Sequence, residues 1–238
     1  NPNDSLIIML PGSFCPSSGL NYLYEKLKDD YCIVLVEYNG HYENSTFSSR
    51  QNEAKGIVEY IQKQNIHTIK MIYGQSMGAE IAIELFKQLE KTNINVDYCF
   101  LDGAPCIKLP YLYKKFMHFK FNQILKMMKK KEVDQILNMK LIKKIARGNT
   151  ENLRPMIEPM ALIAQFLTKE SVKNETECCY TFDFPSFDKE TQNKMYFFYG
   201  KEEKAYKTCY SGVKKAYLQA NSIFKEGYGH LMYFNVFY

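Results

Sequence analysis

A serine between two glycines, in the segment Gly74–Gly78 (GQSMG), is the feature that most constrains how this chain can fold. The residues before it, Thr68–Tyr73, form a short apolar run typical of a buried β-strand, whereas Ala79–Phe86 repeats apolar residues at helical spacing. The pattern predicts a strand, a sharp turn carrying Ser76, and a helix whose first N–H groups point at that turn. Because G-x-S-x-G arises by chance in about one chain in ten of this length, the rest of the sequence must supply the context.

Strand and helix patterns alternate along most of the chain. Apolar runs predict further buried strands at 6–10, 32–37, 96–101, 195–199 and 222–225, and helices are predicted at 20–28, 54–64, 79–91, 204–220 and after 230. Such alternation is typical of an α/β fold, a mainly parallel sheet flanked by helices, in which ligands bind at the carboxyl ends of the strands. The residues that follow strands are therefore expected at one edge: Ser13, Ser76, Asp102, Glu203 and His230.

One long segment, 106–190, interrupts the alternation between the fourth and fifth predicted strands. It contains helical patterns at 111–130 and 133–145 and a third apolar stretch at 156–167. An insertion at the ligand-binding edge is predicted to form a helical cap, or lid. The predicted core then consists of 1–105 and 191–238.

The charge of the chain is concentrated in this insertion. Residues 108–147 hold twelve Lys and Arg against two acids, a net charge of +10 in a chain of +5, so the remainder carries −5. Three interpretations stay open: a solvated face, a site for an anionic partner such as a phosphate-bearing acyl thioester, an acidic carrier protein or a carboxylate substrate, or a surface that lies on an anionic membrane. The third interpretation rests on the apolar residues that stand among the lysines: Phe116, Phe119, Phe121, Met127 and Met128. The acidic remainder disfavours nucleic acid.

Composition bears on the number of domains, the cellular location and the presence of a metal or cofactor. The 238 residues suit one domain, and no apolar run is long enough to predict a membrane-spanning helix. No secretory signal pattern is visible. The seven cysteines are odd in number and two of them, Cys32 and Cys99, fall in predicted core strands, so free thiols and a reducing, cytoplasmic location are predicted. No C-x-x-C occurs and the four histidines are far apart, so neither a metal site nor a cofactor is predicted.

With these motifs in place, the chain resembles the α/β-hydrolase superfamily over nearly its full length outside the insertion. Gly74–Gly78 resembles the nucleophile elbow of that superfamily. Four other short segments resemble its oxyanion loop, its D-x-x-G-H turn, its acid turn and its G-H pair: LPGS at 10–13, EYNGH at 37–41, GKEE at 200–203 and GH at 229–230. Two departures are Glu203 in place of the usual Asp and a sheet that begins at the family's third strand.

The resemblance implies catalytic roles for residues at these positions. Ser76 would be the nucleophile, His230 the base and Glu203 the acid that orients it. Glu202 and Asp102 remain alternative acids. The other histidines fit the base less well, because His41 matches a turn residue that is usually structural, His67 precedes the elbow strand and His118 lies in the insertion.

The same resemblance implies a binding site for the substrate. The backbone N–H groups of Ser13 and Met77 would form the oxyanion hole, with Phe14 as an alternative to Ser13. Phe14 and Cys15 are expected to contact the substrate.

The implied activity is that of a serine esterase or thioesterase that forms an acyl-enzyme at Ser76 on a small-molecule acyl ester or thioester. A cofactor-free lyase or an acyltransferase could use the same fold. The non-enzymatic alternative is a small-molecule binding protein that keeps the fold and lacks the chemistry.

Overall fold

A six-stranded sheet forms the centre of the part of the chain that the structure describes. The computed structural model describes residues 5–145, 150–203 and 206–229. The strands are β1 (Leu6–Leu10), β2 (Cys32–Leu35), β3 (Thr68–Gln75), β4 (Asn95–Asp102), β5 (Met195–Gly200) and β6 (Asn221–Lys225). Every neighbouring pair is parallel, in the order β2-β1-β3-β4-β5-β6. The predicted α/β class with a parallel sheet is confirmed.

Helices connect the strands. Those of the sheet layers are α1 (Asn21–Leu27), α2 (Arg50–Lys63), α3 (Met77–Leu89) and α10 (Tyr206–Ala216). Those between β4 and β5 are α4 (Tyr111–Met128), α5 (Val133–Leu137), α6 (Lys140–Ile145), α7 (Arg154–Ala164), α8 (Lys169–Tyr180) and α9 (Lys189–Asn193). Within the described part of the chain, no helix is both long and apolar enough to cross a membrane.

Strand β1 shows why the sheet is covered on both faces. All five of its residues are buried. Leu6, Ile8 and Leu10 pack into the large core that also contains α2 and α3, whereas Ile7 and Met9 pack on the opposite face with Leu20 and residues of α1. A continuous apolar run is what a central parallel strand requires, since successive side chains enter different cores.

Strand β2 departs from its prediction. The apolar run at 32–37 was expected to be a strand buried on both faces, but the strand ends at Leu35 and lies at the edge of the sheet. Cys32 is consequently exposed, whereas Cys99, in the central strand β4, is fully buried. An edge strand has only one neighbour, so its apolar residues are covered less completely than the same pattern in a central strand.

The helices between β4 and β5 share a hydrophobic core of their own. Its buried members come from α4, α5, α7 and α8, together with Leu167 between α7 and α8 and Phe14 from the loop after β1. The single helix predicted over 133–145 is two short helices, α5 and α6. Helix α8 was not predicted at all. The role of this insertion as a cap remains a prediction.

The strand register brings the predicted site residues to one edge of the sheet. Leu10 pairs with Gly74, and Gln75 pairs with Asp102, so β1, β3 and β4 end at the same level. Asp102 in turn pairs with Phe198, two residues before the end of β5. The loops that follow these strands therefore emerge together, as the parallel topology predicts.

Candidate active site

Ser76 occupies a strained turn between β3 and α3. Its φ of 53° and ψ of −117° lie where residues with a side chain are seldom found. The Ser76 N–H donates to the carbonyl oxygen of Asp102 at 2.8 Å, which anchors the turn to the neighbouring strand. Such strain persists only where the surrounding structure enforces it, and it is frequent at active sites. The serine therefore projects from the carboxyl edge of the sheet at the start of a helix.

Gly78 lets the first turn of α3 lie directly against the end of β1. A Cβ atom on Gly78 would come within 2.3 Å of the Leu10 carbonyl oxygen and 2.4 Å of the Pro11 carbonyl oxygen. No larger residue fits this approach without moving backbone. The second glycine of the G-x-S-x-G pattern thus lets the serine turn lie against the end of β1 and the start of the loop that follows it.

The loop after β1 lies beside Ser76. A Cβ atom on Gly12 would stand 3.4 Å from the Ser76 Cβ, and the Cys15 N–H donates to the Gly12 carbonyl oxygen to close a turn. Phe14 takes a φ of 55° in this turn. The Ser13 hydroxyl contacts the Cys179 thiol of α8 at 2.9 Å, so the side chain of Ser13 faces the insertion. Ser13 and its neighbours therefore lie between Ser76 and α8.

The predicted oxyanion donors are backbone groups near this turn. Met77 is the first residue of α3 and is fully buried, and the N–H groups of a first helical turn have no acceptor within the helix. In the loop, the Phe14 N–H donates to Glu175 Oε2 at 2.8 Å. Because a carboxylate accepts that group, Ser13 is the better candidate of the two. The assignment of Ser13 and Met77 remains a prediction.

The three candidate acids all lie at this edge, in different surroundings. Glu203 follows β5 in a tight turn, with its N–H donating to the Gly200 carbonyl oxygen at 3.3 Å, and is half-buried. Glu202 is exposed. Asp102 is fully buried and accepts a hydrogen bond from the Tyr73 hydroxyl at 2.8 Å. The three acids differ in burial, and their burial alone does not identify the catalytic one. Glu203 stays the first candidate on its position after β5.

His230 lies outside the described residues, but the structure describes the backbone up to Gly229. A Cβ atom on Gly200 would come within 2.1 Å of the Gly229 carbonyl oxygen and 2.2 Å of the Tyr228 carbonyl oxygen. The Glu202 N–H also donates to the Tyr228 carbonyl oxygen at 3.0 Å. Gly229, the residue before the predicted base, therefore passes over the end of β5 beside the predicted acid turn.

Replacing Gly200 by alanine is expected to lower the catalytic efficiency toward an ester substrate by about 100-fold, because the new methyl group displaces the backbone that leads to His230. The matched control is Gly56→Ala on α2, where a Cβ atom meets nothing within 4 Å. The control should keep full activity and gain slightly in stability. Equal activity of the two variants would show that the close approach at Gly200 does not matter for function.

A buried ionic network that the sequence did not predict ties α8 to this loop. His41 Nδ1 lies 3.2 Å from Glu37 Oε1, and His41 Nε2 lies 3.0 Å from Glu175 Oε1. His41 is 2 % exposed and Glu175 is fully buried. Since Glu175 also accepts the Phe14 N–H, one carboxylate of α8 joins the turn histidine to the loop beside Ser76.

Two carboxylates hold the His41 imidazole in its charged form. Burial lowers the pKa of His41, but the charges and hydrogen bonds of Glu175 and Glu37 outweigh it and raise the pKa to about 9. With a carboxylate on each ring nitrogen, both nitrogens act as donors. His41 is therefore an imidazolium at neutral pH with a structural role, as its turn position had implied.

We expect the stability of the protein to fall as the pH rises through about 9. The pKa of His41 is raised from 6.5 to about 9 on folding, so its stabilisation is complete below about pH 6.5 and is lost above about 9. The loss is on the order of 3 kcal/mol. Urea unfolding at several pH values measures it. Burial also raises the pKa of Glu80 to about 8, although the charge of Arg50 opposes this shift. Deprotonation of Glu80 therefore lowers the stability of the protein further as the pH rises.

The contribution of His41 to the pH dependence is the difference in the free energy of unfolding between the wild type and His41→Gln. Glu80 is present in both proteins, so its contribution cancels in this difference. The variant should be less stable at pH 6.5 and should lose less free energy of unfolding by pH 9. Parallel pH profiles of the two proteins would contradict the charged state of His41.

The two residues predicted to contact substrate are largely buried here. Phe14 is 4 % exposed and packs edge-to-face on Phe121 of α4, with ring centroids 5.0 Å apart. Burial, with the nearby charges of Glu37 and Glu175, raises the pKa of the Cys15 thiol to about 12. Cys15 is thus a neutral thiol at physiological pH and no rival to Ser76 as nucleophile. Contact of either residue with substrate remains a prediction.

The two remaining described histidines, His67 and His118, lie on other parts of the fold. His67 precedes β3, at the opposite edge of the sheet from Ser76, and His118 lies on α4. In residues 5–145, 150–203 and 206–229, no three His, Cys, Asp or Glu side chains come together as metal ligands would.

The architecture was compared with those of known proteins. No protein-family model matches the chain, and no curated protein matches it in sequence. Solved structures do match. MGS-M2, an α/β hydrolase enzyme from a Medee basin deep-sea metagenome library, is 12 % identical with a TM-score of 0.68 over 97 % of this chain and 84 % of that chain. The esterase EaEST from Exiguobacterium antarcticum is 18 % identical with a TM-score of 0.63 over 96 % and 85 %.

A third similar structure is the N-formylmaleamic acid deformylase Nfo from Pseudomonas putida S16, at 13 % identity and a TM-score of 0.66 over 98 % of this chain and 88 % of that chain. At these identities the likeness shows the fold alone. The chain has the α/β-hydrolase fold.

Proposed function

We propose that this protein is a serine hydrolase that cleaves a carboxylic ester or thioester through an acyl-enzyme at Ser76. The observation that carries the proposal is the strained turn of Ser76 between β3 and α3, with φ of 53° and the loop at Gly12 packed beside it. This geometry supports a nucleophile presented to a ligand at the carboxyl edge of the sheet. The similarity to an esterase and a deformylase supports hydrolysis without fixing the acyl group.

In the proposed reaction, Ser76 Oγ attacks the carbonyl carbon while His230 takes the hydroxyl proton. The negative charge that develops on the carbonyl oxygen is stabilised by the N–H groups of Ser13 and Met77. When the tetrahedral intermediate collapses, the bond to the leaving group breaks and His230 returns the proton to it. Water, deprotonated by the same histidine, then releases the acid and restores Ser76.

The surroundings of the site support an apolar or aromatic acyl group. The core of the insertion, which meets the loop after β1 at Phe14, consists of aliphatic, methionine and aromatic side chains. Methionine-rich and aromatic surfaces adapt to varied apolar ligands. All seven cysteines are free thiols, which supports the proposed cytoplasmic location.

Hydrolysis of a panel of p-nitrophenyl esters and acyl thioesters tests the proposal. The wild type should accelerate release of the leaving group for apolar acyl chains, with Ser76→Ala at background. Inclusion of an alcohol as acceptor separates a transferase, which would give a new ester, from a hydrolase, which would give free acid. Tight ligand binding without turnover of any substrate would instead indicate a binding protein.

A further inference from the structure

Helix α4 exposes an unusual number of large apolar side chains. Of the twelve exposed large hydrophobic residues in the described part of the chain, six lie on this helix. Leu112 is 76 % exposed, Phe116 52 % and Phe119 59 %. Single exposed apolar residues are ordinary, but a contiguous group usually marks an interaction surface.

Three of these six residues, Leu112, Phe116 and Phe119, form a stripe opposite the face that anchors the helix. At 100° per residue, Leu112, Phe116 and Phe119 fall within an arc of about 60°. Leu125 and Met128 lie on the far side and are buried in the core of the insertion. The helix is therefore fixed to the protein by one face and presents an apolar stripe on the other.

Lysines border this stripe on both sides. Lys115 and Lys126 lie on one flank and Lys120 on the other, and all three are exposed. The ammonium groups of Lys115 and Lys120 stand over the rings of Tyr111 and Phe116, at 5.3 and 4.8 Å from the centroids. The helix contains no Asp or Glu. Long lysine side chains beside apolar residues can keep their charge at a polar boundary while their stems cover apolar surface.

We propose that α4 docks on an anionic phospholipid bilayer and lies in the plane of its surface. Leu112, Phe116 and Phe119 would enter the boundary between headgroups and acyl chains, while Lys115, Lys120 and Lys126 meet the lipid phosphates and carboxylates. An apolar centre with cationic flanks is the pattern of interfacial helices. The net charge of +10 over residues 108–147 complements the negative leaflet. An acidic protein would be matched by the lysines but would leave the apolar centre unexplained.

Vesicle binding tests the proposal without any substrate, so its outcome is independent of the proposed hydrolase activity. The wild type should sediment with vesicles of phosphatidylserine and phosphatidylcholine and bind pure phosphatidylcholine at least tenfold more weakly. The triple variant K115Q/K120Q/K126Q should lose about 100-fold in partitioning. Raising the salt concentration should weaken binding of the wild type, because headgroup charges are screened.

A second set of variants distinguishes burial of the apolar stripe in the membrane from attraction between charges alone. L112S/F116S/F119S keeps every lysine and should lose more than about tenfold, since the apolar stripe no longer enters the membrane. The matched charge control is K55Q/K63Q/K91Q, three exposed lysines outside the insertion, which should bind like the wild type. The matched apolar control is Leu218→Ser, a residue 76 % exposed on another part of the surface. All substituted residues are exposed, so the variants should fold.

A tryptophan at position 119 reports depth directly, because the chain contains none. Phe119→Trp should shift its emission to shorter wavelength on phosphatidylserine vesicles and be quenched by brominated acyl chains. The proposal is overturned if the emission does not change, if the serine variant binds like the wild type, or if the control lysines matter equally. It is also overturned if soluble polyglutamate binds as tightly as the vesicles, which would indicate an acidic protein partner.

Discussion

Replacing Ser76 by alanine is expected to lower kcat/KM for the best ester substrate by about 10⁴-fold to 10⁶-fold. The reason is that Ser76 forms the acyl-enzyme in the proposed mechanism, so its removal leaves the reaction without its nucleophile. Cys15, the nearest thiol in the loop, has its pKa raised to about 12 by burial and by Glu37 and Glu175. Steady-state rates on the wild type and the variant measure the effect.

The matched control for this variant is Ser211→Ala, an exposed serine on α10. It should keep the wild-type rate. Both variants should unfold at the wild-type temperature, because alanine at position 76 meets the same backbone strain as serine. A Ser76→Ala variant that retained more than about a tenth of the activity, a loss far smaller than a catalytic nucleophile predicts, would remove Ser76 from the mechanism.

Replacing Glu175 by alanine is expected to destabilise the protein by about 3–5 kcal/mol, the usual cost of breaking a buried ion pair from one side. Glu175 is fully buried, binds His41 Nε2 at 3.0 Å and accepts the Phe14 N–H at 2.8 Å. Its removal leaves both donors without this partner. Because Phe14 belongs to the loop beside Ser76, activity should fall as well.

A neighbour on the same helix provides the comparison. Glu177 pairs with Lys114 at 2.8 Å, but its side chain is 43 % exposed. Glu177→Ala should therefore cost less than about 1 kcal/mol. Glu175→Gln should lie between the two alanine variants, since its amide can still bond Phe14 but no longer holds a charge against His41. Equal costs for the alanine variants in urea unfolding would contradict the importance of the network.

The sheet and the serine turn could be predicted from the sequence, because both depend on local residue patterns. A continuous apolar run marks a central strand such as β1, and glycines around Ser76 mark the close approach that Gly78 makes to Leu10. The same reasoning was wrong for the run at Cys32, since an edge strand and a central strand differ only in their neighbours.

Helix α8 was missed for a different reason. Its sequence, KESVKNETECCY, has few apolar residues, yet it buries Ser171, Glu175 and Thr176. Ser171 and Glu175 accept hydrogen bonds from the distant Phe47 and Phe14 N–H groups. The bond between Glu175 and His41 spans 134 residues and follows no periodicity. A capping signal was present, because the Thr168 side chain accepts the Ser171 N–H and so marks the start of a helix.

The most direct measurement of the proposed mechanism is the intact mass of the protein after exposure to a fluorophosphonate. An assembled serine nucleophile attacks phosphorus through Oγ and expels fluoride, which leaves a stable adduct. We expect one adduct on the wild type, mapped to Ser76, one on Ser211→Ala, and none on Ser76→Ala or His230→Ala. No adduct on the folded wild type, or an adduct on another residue, would contradict the assignment of Ser76 as the nucleophile.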